Sequence, residues 1–242
     1  MKRTLFTLLA LGLVGFLIFR ALFGGQTVSW HQRLTVTVET PSGEVSGSAV
    51  TAVTNVQLEG LLELPDSRGV KNQVTGEAVV VEVAPGRYLF VLLDGAEYWA
   101  YAAFRLGRET DPDALSYEAM MAQLKRRPWD VPAPLPLRPA AAYMSNPFPT
   151  LVTFDDVTDP KTVRRVDPED LAASFGPGVR LKAVTLAVTK EAVTKGRVAE
   201  VLGWLCNLTK NYRRLSGKTG AVFDNQLSNN LGPGAFLVGE CK

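Results

Sequence analysis

The chain has 242 residues, 26 Lys plus Arg against 24 Asp plus Glu, and a single His. A net charge of +2 without a concentrated basic face argues against a nucleic-acid binder. The single histidine leaves only His31 for any Ser–His–Asp or Cys–His device.

Met1, Lys2, Arg3 and Thr4 lead into residues 5–19, a run without charge, followed by Arg20. Residues 4–23 make about 30 Å of helix, which matches the hydrocarbon thickness of a bilayer. Arg20 lies close enough to one end for its guanidinium to reach the headgroups. The basic flank at Lys2 and Arg3 places the N-terminus in the cytoplasm and exports the C-terminal domain. A cleaved signal peptide shares the charged start and apolar core. However, no pair of small residues with A-x-A spacing occurs across residues 20–26, and no Cys there offers lipidation, so an uncleaved anchor over 1–25 is the expectation. Trp30 suits the outer membrane interface, or else is the first core residue of the domain beyond.

Residues 26–127 read as a β-rich lobe with two helices. Leu34, Val36 and Val38 alternate with Thr35, Thr37 and Glu39, the period of a half-buried strand. Pro41-Ser42-Gly43 turns the chain into a second strand over 45–56, giving a hairpin. Residues 76–83 and 87–93 flank Ala84-Pro85-Gly86 as a second hairpin, and 58–72 mixes an edge strand with loop. Tyr98, Trp99, Ala102, Ala103 and Leu106 fall at helical spacing. Asp111-Pro112 starts another helix with a capping carboxylate and a proline at the first helical position, and Pro128 ends it.

From 128 to 149, seven of the residues are proline, so this stretch stays extended as a linker or as a strap over a surface. Residues 150–242 read as a small α+β lobe. It begins with a strand over 151–154 and a turn at Asp159-Pro160. A short helix opened by Asp167-Pro168 comes next, stopped at Gly176-Pro177-Gly178. A strand over 180–189, a helix over 196–206 and a last strand over 235–238 complete it. Cys206 and Cys241 are the only cysteines. They either close a disulfide, in an oxidising compartment, or remain as buried thiols.

The tract PTLVTFDDVTDPKTVRRVDPEDLAASFGPGVRLKAVTL, with the earlier SWHQRLTVTVETPSG, resembles a family of uncharacterised single-span bacterial envelope proteins. The resemblance covers about half of the chain and implies a bacterial, membrane-anchored protein without implying any catalysis.

Three sets of residues invite a chemical reading. Tyr98, Trp99 and Phe104 are candidates to line a ligand pocket, against a packed core face as the simpler account. Asp155, Asp156 and Asp159, with Asp167, Glu169 and Asp170 nearby, supply carboxylates for a metal or for acid–base work. The alternating pattern of a calcium loop is missing, though, and several of these acids sit where caps and turns need them. Gly217-Lys218-Thr219 mimics the end of a phosphate-binding loop but lacks the preceding glycine, since that place is Tyr212.

The fold class expected is α+β, an N-terminal transmembrane helix followed by the two lobes. The expected function is a non-catalytic interaction or assembly protein of the bacterial envelope, anchored in the inner membrane with a periplasmic domain. It touches the bilayer through residues 4–23 and another envelope protein through the domain. A periplasmic binder of a lipid, glycan or small molecule is the alternative, and a Ser/Lys or carboxylate hydrolase a third. No cofactor and no nucleic-acid partner are expected.

Overall fold

A computed structural model describes residues 12–16, 25–58, 69–106, 117–137, 148–220 and 224–241. The fold is α+β, built on two antiparallel sheets with few and short helices. Among the described residues, ten strands form the sheets: β1 (Gly25–Thr40), β2 (Gly43–Leu58), β3 (Gly69–Glu77), β4 (Val79–Ala84), β5 (Arg87–Val91), β6 (Ala133–Pro134), β7 (Leu151–Phe154), β8 (Val163–Val166), β9 (Arg180–Thr189) and β10 (Leu237–Val238). The larger sheet has the order β10-β3-β2-β1-β9-β6 and the smaller β4-β5-β7-β8. Beyond a helical stretch at 12–16, the helices among the described residues are α1 (Trp99–Ala103), α2 (Tyr117–Lys125), α3 (Ala172–Phe175), α4 (Arg197–Val201), α5 (Leu205–Lys210) and α6 (Leu227–Asn230).

The chain divides into two compact units, residues 1–29 with 54–73, and residues 30–53 with 74–242. In the first, Val28 is buried and Ser29 and Thr54 share a hydroxyl hydrogen bond of 2.9 Å. Of the expected membrane span, only 12–16 falls among the described residues. That stretch is helical, with Leu13, Val14 and Phe16 exposed. Among the described residues no helix is long and apolar enough to cross a membrane, and the rest of 4–23 lies outside them.

Within the second unit, the alternation in β1 has the expected result: Leu34, Val36 and Val38 are buried while Thr35 and Thr37 are half-buried. Thr40 Oγ1 tightens the turn into β2, accepting from Ser42 N–H and donating to Gly43 O. At Gly47 in β2, a Cβ would lie 2.1 Å from the Val80 carbonyl oxygen. Only glycine admits that approach to β4. Trp30 is a core residue, its Nε1 donating to the buried Gln32, whose amide in turn donates to Ala96 O.

Several expectations need correcting. The Pro-rich stretch does not separate two lobes, because β1 pairs with β9 and β5 with β7, so both sheets draw strands from either side of it. Composition registers local stiffness, whereas strand pairing is decided by non-local burial. The run over 76–83 is not one strand: Gly76 and Glu77 end β3 in the larger sheet, and after Ala78 the chain starts β4 in the smaller. The helix expected over 196–206 breaks at Leu202 (φ −103°, ψ 71°), before Gly203, and resumes as α5 through Lys210. Residues 163–166, given no element in the sequence, form β8 by pairing antiparallel with β7 (Phe154 opposite Val163, Leu151 opposite Val166), with Val163 and Val166 buried and Arg164 and Arg165 exposed. The Asp111-Pro112 start lies outside the described residues, which give α2 from Tyr117.

The smaller sheet covers an aromatic core. Phe90 packs edge-on against Phe154 (5.5 Å between centroids) and Phe236 (5.9 Å), and Trp204 packs against Phe154 (5.7 Å). Each such pair adds about 0.5–1.5 kcal/mol beyond area burial. Val198, Leu202, Leu205 and Leu215 complete this cluster. Cys206 and Cys241 are bonded, with Cα atoms 5.4 Å apart. Closing the loop between them stabilises the fold by about 3–4 kcal/mol on the chain-entropy account.

Candidate functional site

The aromatic candidates point different ways. Trp99 is 1% exposed and its Nε1 has no partner among the described residues; Tyr98 is 41% exposed. Phe104 lies under the Arg127 guanidinium, 4.4 Å from ring centroid to Cζ. A cleft beside it is lined by Arg105, Leu106, Gln123 and Arg126, and by neither Tyr98 nor Trp99. Packing therefore explains Trp99, and a cation–π contact explains Phe104.

The acidic candidates are spent locally. Asp155 pairs with Arg164 at 2.7 Å on the surface. Asp156 Oδ1 accepts from the Thr158 hydroxyl at 2.7 Å and from Thr158 N–H at 2.8 Å. The hydroxyl first and the amide second hold its carboxyl below the ordinary value. Asp159 caps the 3₁₀ turn Pro160–Thr162 by accepting from Lys161 N–H at 2.9 Å. Asp167 and Asp170 accept from Glu169 N–H and Ala173 N–H, the local bonds of a turn and a helix start. Among the described residues, no group of three His, Cys, Asp or Glu is placed to hold a metal ion. His31 Nδ1 lies 2.6 Å from the carbonyl oxygen of Glu191, just past the end of β9.

The Pro-rich stretch forms the most distinctive surface. Residues 128–137 run as a strap along the outer edge of β9. Asp130 N–H donates to Val188 O at 2.8 Å, Leu135 N–H donates to Val184 O at 2.9 Å, and Ala133 and Pro134 pair as β6 between them. Pro134 suits this place, since its missing N–H costs nothing on an edge strand. Leu135 is buried, and Arg33 ties the strap down through Asp130 at 3.0 Å while also pairing with Glu191. Held in this way, the strap presents Trp129 (50% exposed), Val131 (52%) and Leu137 (39%) to solvent. Lys190 Nζ rests 4.8 Å above the Trp129 ring. The remaining edge of β9 is guarded differently, by a bulge opposite Thr37 and Val38 and by Arg180 and Lys182 paired with Glu39 and Glu44. Charge and a bulge together disfavour strand addition there.

Two features escaped the sequence reading. Glu77 is 2% exposed, and its carboxylate accepts from Gly196 N–H and Val198 N–H at the start of α4. A polar cavity beside α6 is lined by Lys161, Lys218 and Asn229, among others. The sequence signals were a carboxylate at the edge of the apolar run 78–81 and the Gly217-Lys218-Thr219 mimic.

Compared with protein-family models, curated proteins and solved structures, the chain finds no match. The resemblance to envelope proteins therefore rests on the two quoted tracts alone.

Proposed function

We propose that this chain is a non-catalytic interaction or assembly protein of the bacterial envelope. On this reading residues 4–23 anchor it in the inner membrane as a single span, with the N-terminus cytoplasmic and residues 26–242 periplasmic. The partner is another envelope protein. The observation that carries the proposal is the strap, on which Trp129, Val131 and Leu137 stand exposed on a backbone fixed to β9. Exposed apolar side chains on an immobilised backbone give contact area at little ordering cost, and tryptophan is among the residues most enriched at binding hot spots. The Cys206–Cys241 bond supports the exported placement, because disulfides persist in oxidising compartments.

The test places a photo-crosslinking residue at Val131 in the full chain in cells, with Lys210, on exposed α5 surface, as the control position. A discrete adduct from position 131 and none from 210 is the expected result. Recovery of uncrosslinked monomer alone, or equal adducts from both positions, overturns the proposal.

A further inference from the structure

Helix α5 ends at Lys210 and runs into Asn211, Tyr212, Arg213 and Arg214. Arg213 N–H donates to Leu208 O at 3.0 Å and Tyr212 N–H to Thr209 O at 3.2 Å, the paired bonds that close a helix through one left-handed residue. That residue is Tyr212, at φ 51°. Glycine takes such a place without strain, whereas a bulky side chain there is an outlier that costs stability. Nothing in the fold offsets the cost, because Tyr212 is 91% exposed. A strained residue whose ring the fold does not use is explained only by a role outside the fold.

The surroundings of Tyr212 are cationic. Between Glu200 and Asp224 the chain carries Lys210, Arg213, Arg214 and Lys218 and no carboxylate. Arg213 Nη1 donates to Gly217 O at 2.9 Å and Arg214 Nη1 to Asn230 O at 2.7 Å, while Arg214 N–H donates to Lys218 O at 2.9 Å. These bonds fix the shape of the loop. Carbonyls position a guanidinium without neutralising it, and none of the four cations forms an ion pair with a described residue. Asp224, the next acid along the chain, is engaged by Gln226 N–H and Asn229 Nδ2. A solvated turn accounts for the charges alone but not for Tyr212.

We propose that the loop over 210–218 seats on the anionic phospholipid headgroups of a bilayer. The Tyr212 ring lies at headgroup depth, and the exposed Lys210, Arg213 and Lys218 meet the phosphates. Shape selects this partner. A small-molecule site encloses most of its ligand, and a ring so exposed has no walls around it. The loop is also far smaller than the roughly 20–30 residues that a protein interface engages on each side. A convex cationic tip fits a flat field of anions, and tyrosine is enriched at the membrane–water interface. A few cations hold a free chain only weakly, but a chain already anchored is at high effective concentration. The inference in this respect rests on the anchor read at 4–23. Lipid contact at position 210 yields no protein adduct, so the crosslinking control there stands.

The experiment adds the full chain to preformed vesicles, with a nitrobenzoxadiazole label on Thr219→Cys, an exposed position beside the loop. Cys206 and Cys241 are bonded to each other and do not take the label. The vesicles are phosphatidylcholine alone, or phosphatidylcholine and phosphatidylglycerol in equal parts, each with a nitroxide quencher on the headgroups. Flotation on the neutral vesicles reads the anchor alone, so a chain that fails to float refutes the anchor. The loop is then read separately, by quenching with the anionic vesicles in excess. We expect quenching at least about fivefold greater on anionic than on neutral vesicles. The double variant Lys210→Gln, Lys218→Gln, which removes no side-chain bond, should bring quenching close to the neutral level. Tyr212→Gly suits the left-handed turn, so it should raise the melting temperature and still lower the quenching. Equal quenching on the two vesicle types, or none on the anionic ones, overturns the proposal. So does full quenching kept by either variant, or a lower melting temperature for Tyr212→Gly, since the ring would then serve the fold. A label that responds to soluble polygalacturonate and to neither vesicle also overturns it and assigns the loop to an acidic polymer.

Discussion

Glu77 is 2% exposed, and its two carboxylate oxygens accept backbone N–H groups that lie 119 and 121 residues further along the chain. Asp155, Asp156 and Asp159 sit on the surface loop between β7 and β8 and bond partners two to nine residues away. The side-chain chemistry is shared, but the consequences differ. The loop acids shape one turn, whereas Glu77 joins the end of β3 to the start of α4 across the interior. A carboxylate is weighted by what it would leave unpaired, and burial makes that penalty large. The six acids crowded within 155–170 catch the eye in the sequence. The one that holds distant elements together sits unmarked between the polar end of β3 and the apolar run 78–81.

That contrast can be broken by substitution, and the largest effect is expected at Glu77. Glu77→Ala removes both acceptors and should cost about 3 kcal/mol in urea denaturation of the purified chain. Glu77→Gln keeps one carbonyl acceptor but turns an amide donor towards an N–H group, and should cost about 1.5 kcal/mol. A Gln variant as stable as the parent would show that the charge is immaterial there. Asp159→Ala removes one cap from a short 3₁₀ turn and should cost about 1 kcal/mol by the same measurement. Asp155→Asn breaks an exposed pair with Arg164 and should cost no more than about 0.5 kcal/mol, shrinking further as salt is raised. If Asp155 or Asp159 proved as costly as Glu77, the loop would have a role beyond turn-making.

The same contrast explains what the sequence reveals and what it hides. β1, β2, the β4–β5 hairpin and β9 are legible from period-2 alternation with turn residues between, because each signal lies within a dozen residues. Asp159 is legible as a turn residue for the same reason, whereas the cap read at Asp167 falls at Asp170, whose carboxylate accepts from Ala173 N–H while Asp167 bonds only Glu169 N–H in the preceding turn. The pairing of β1 with β9 is not legible, nor is that of β5 with β7. Many strands of similar pattern compete, and the choice is made by burial summed over the whole sheet. Proline content predicts an extended stretch over 128–149; among the described residues Trp129 and Asp130 instead make a turn, with Asp130 at φ 58°, and the lie of β6 on β9 is not legible, since that depends on Val184 and Val188 offering free carbonyls. Glu77 and Asn229 share a deeper obscurity. Each is polar by type and buried by context, and nothing in the adjacent residues announces the partner. At the polar cavity, Lys218 is conspicuous in sequence only through a phosphate-loop mimic whose glycine spacing fails, while its neighbours Lys161 and Asn229 come from separate parts of the chain.

The smallest effect expected is electrostatic and concerns Asp156. Its carboxyl is held below the ordinary value of 3.8, first by the Thr158 hydroxyl and then by the Thr158 amide. A carboxylate whose folded pKa is depressed contributes stability above its unfolded pKa and loses it as pH falls through the folded value. The window is therefore the acid side of 3.8, and near-neutral pH leaves the contribution whole. Thr158→Val removes the hydroxyl and keeps the amide, so the Asp156 pKa should rise towards 3.8 while the rest of the fold is undisturbed. Carboxyl-carbon NMR titration of the parent and the variant reads this directly. An unchanged Asp156 titration would assign the depression to the amide. A rise accompanied by loss of the Asp159 cap would instead show the whole β7–β8 loop to be one hydrogen-bonded unit, and so closer to Glu77 in character than its exposure suggests.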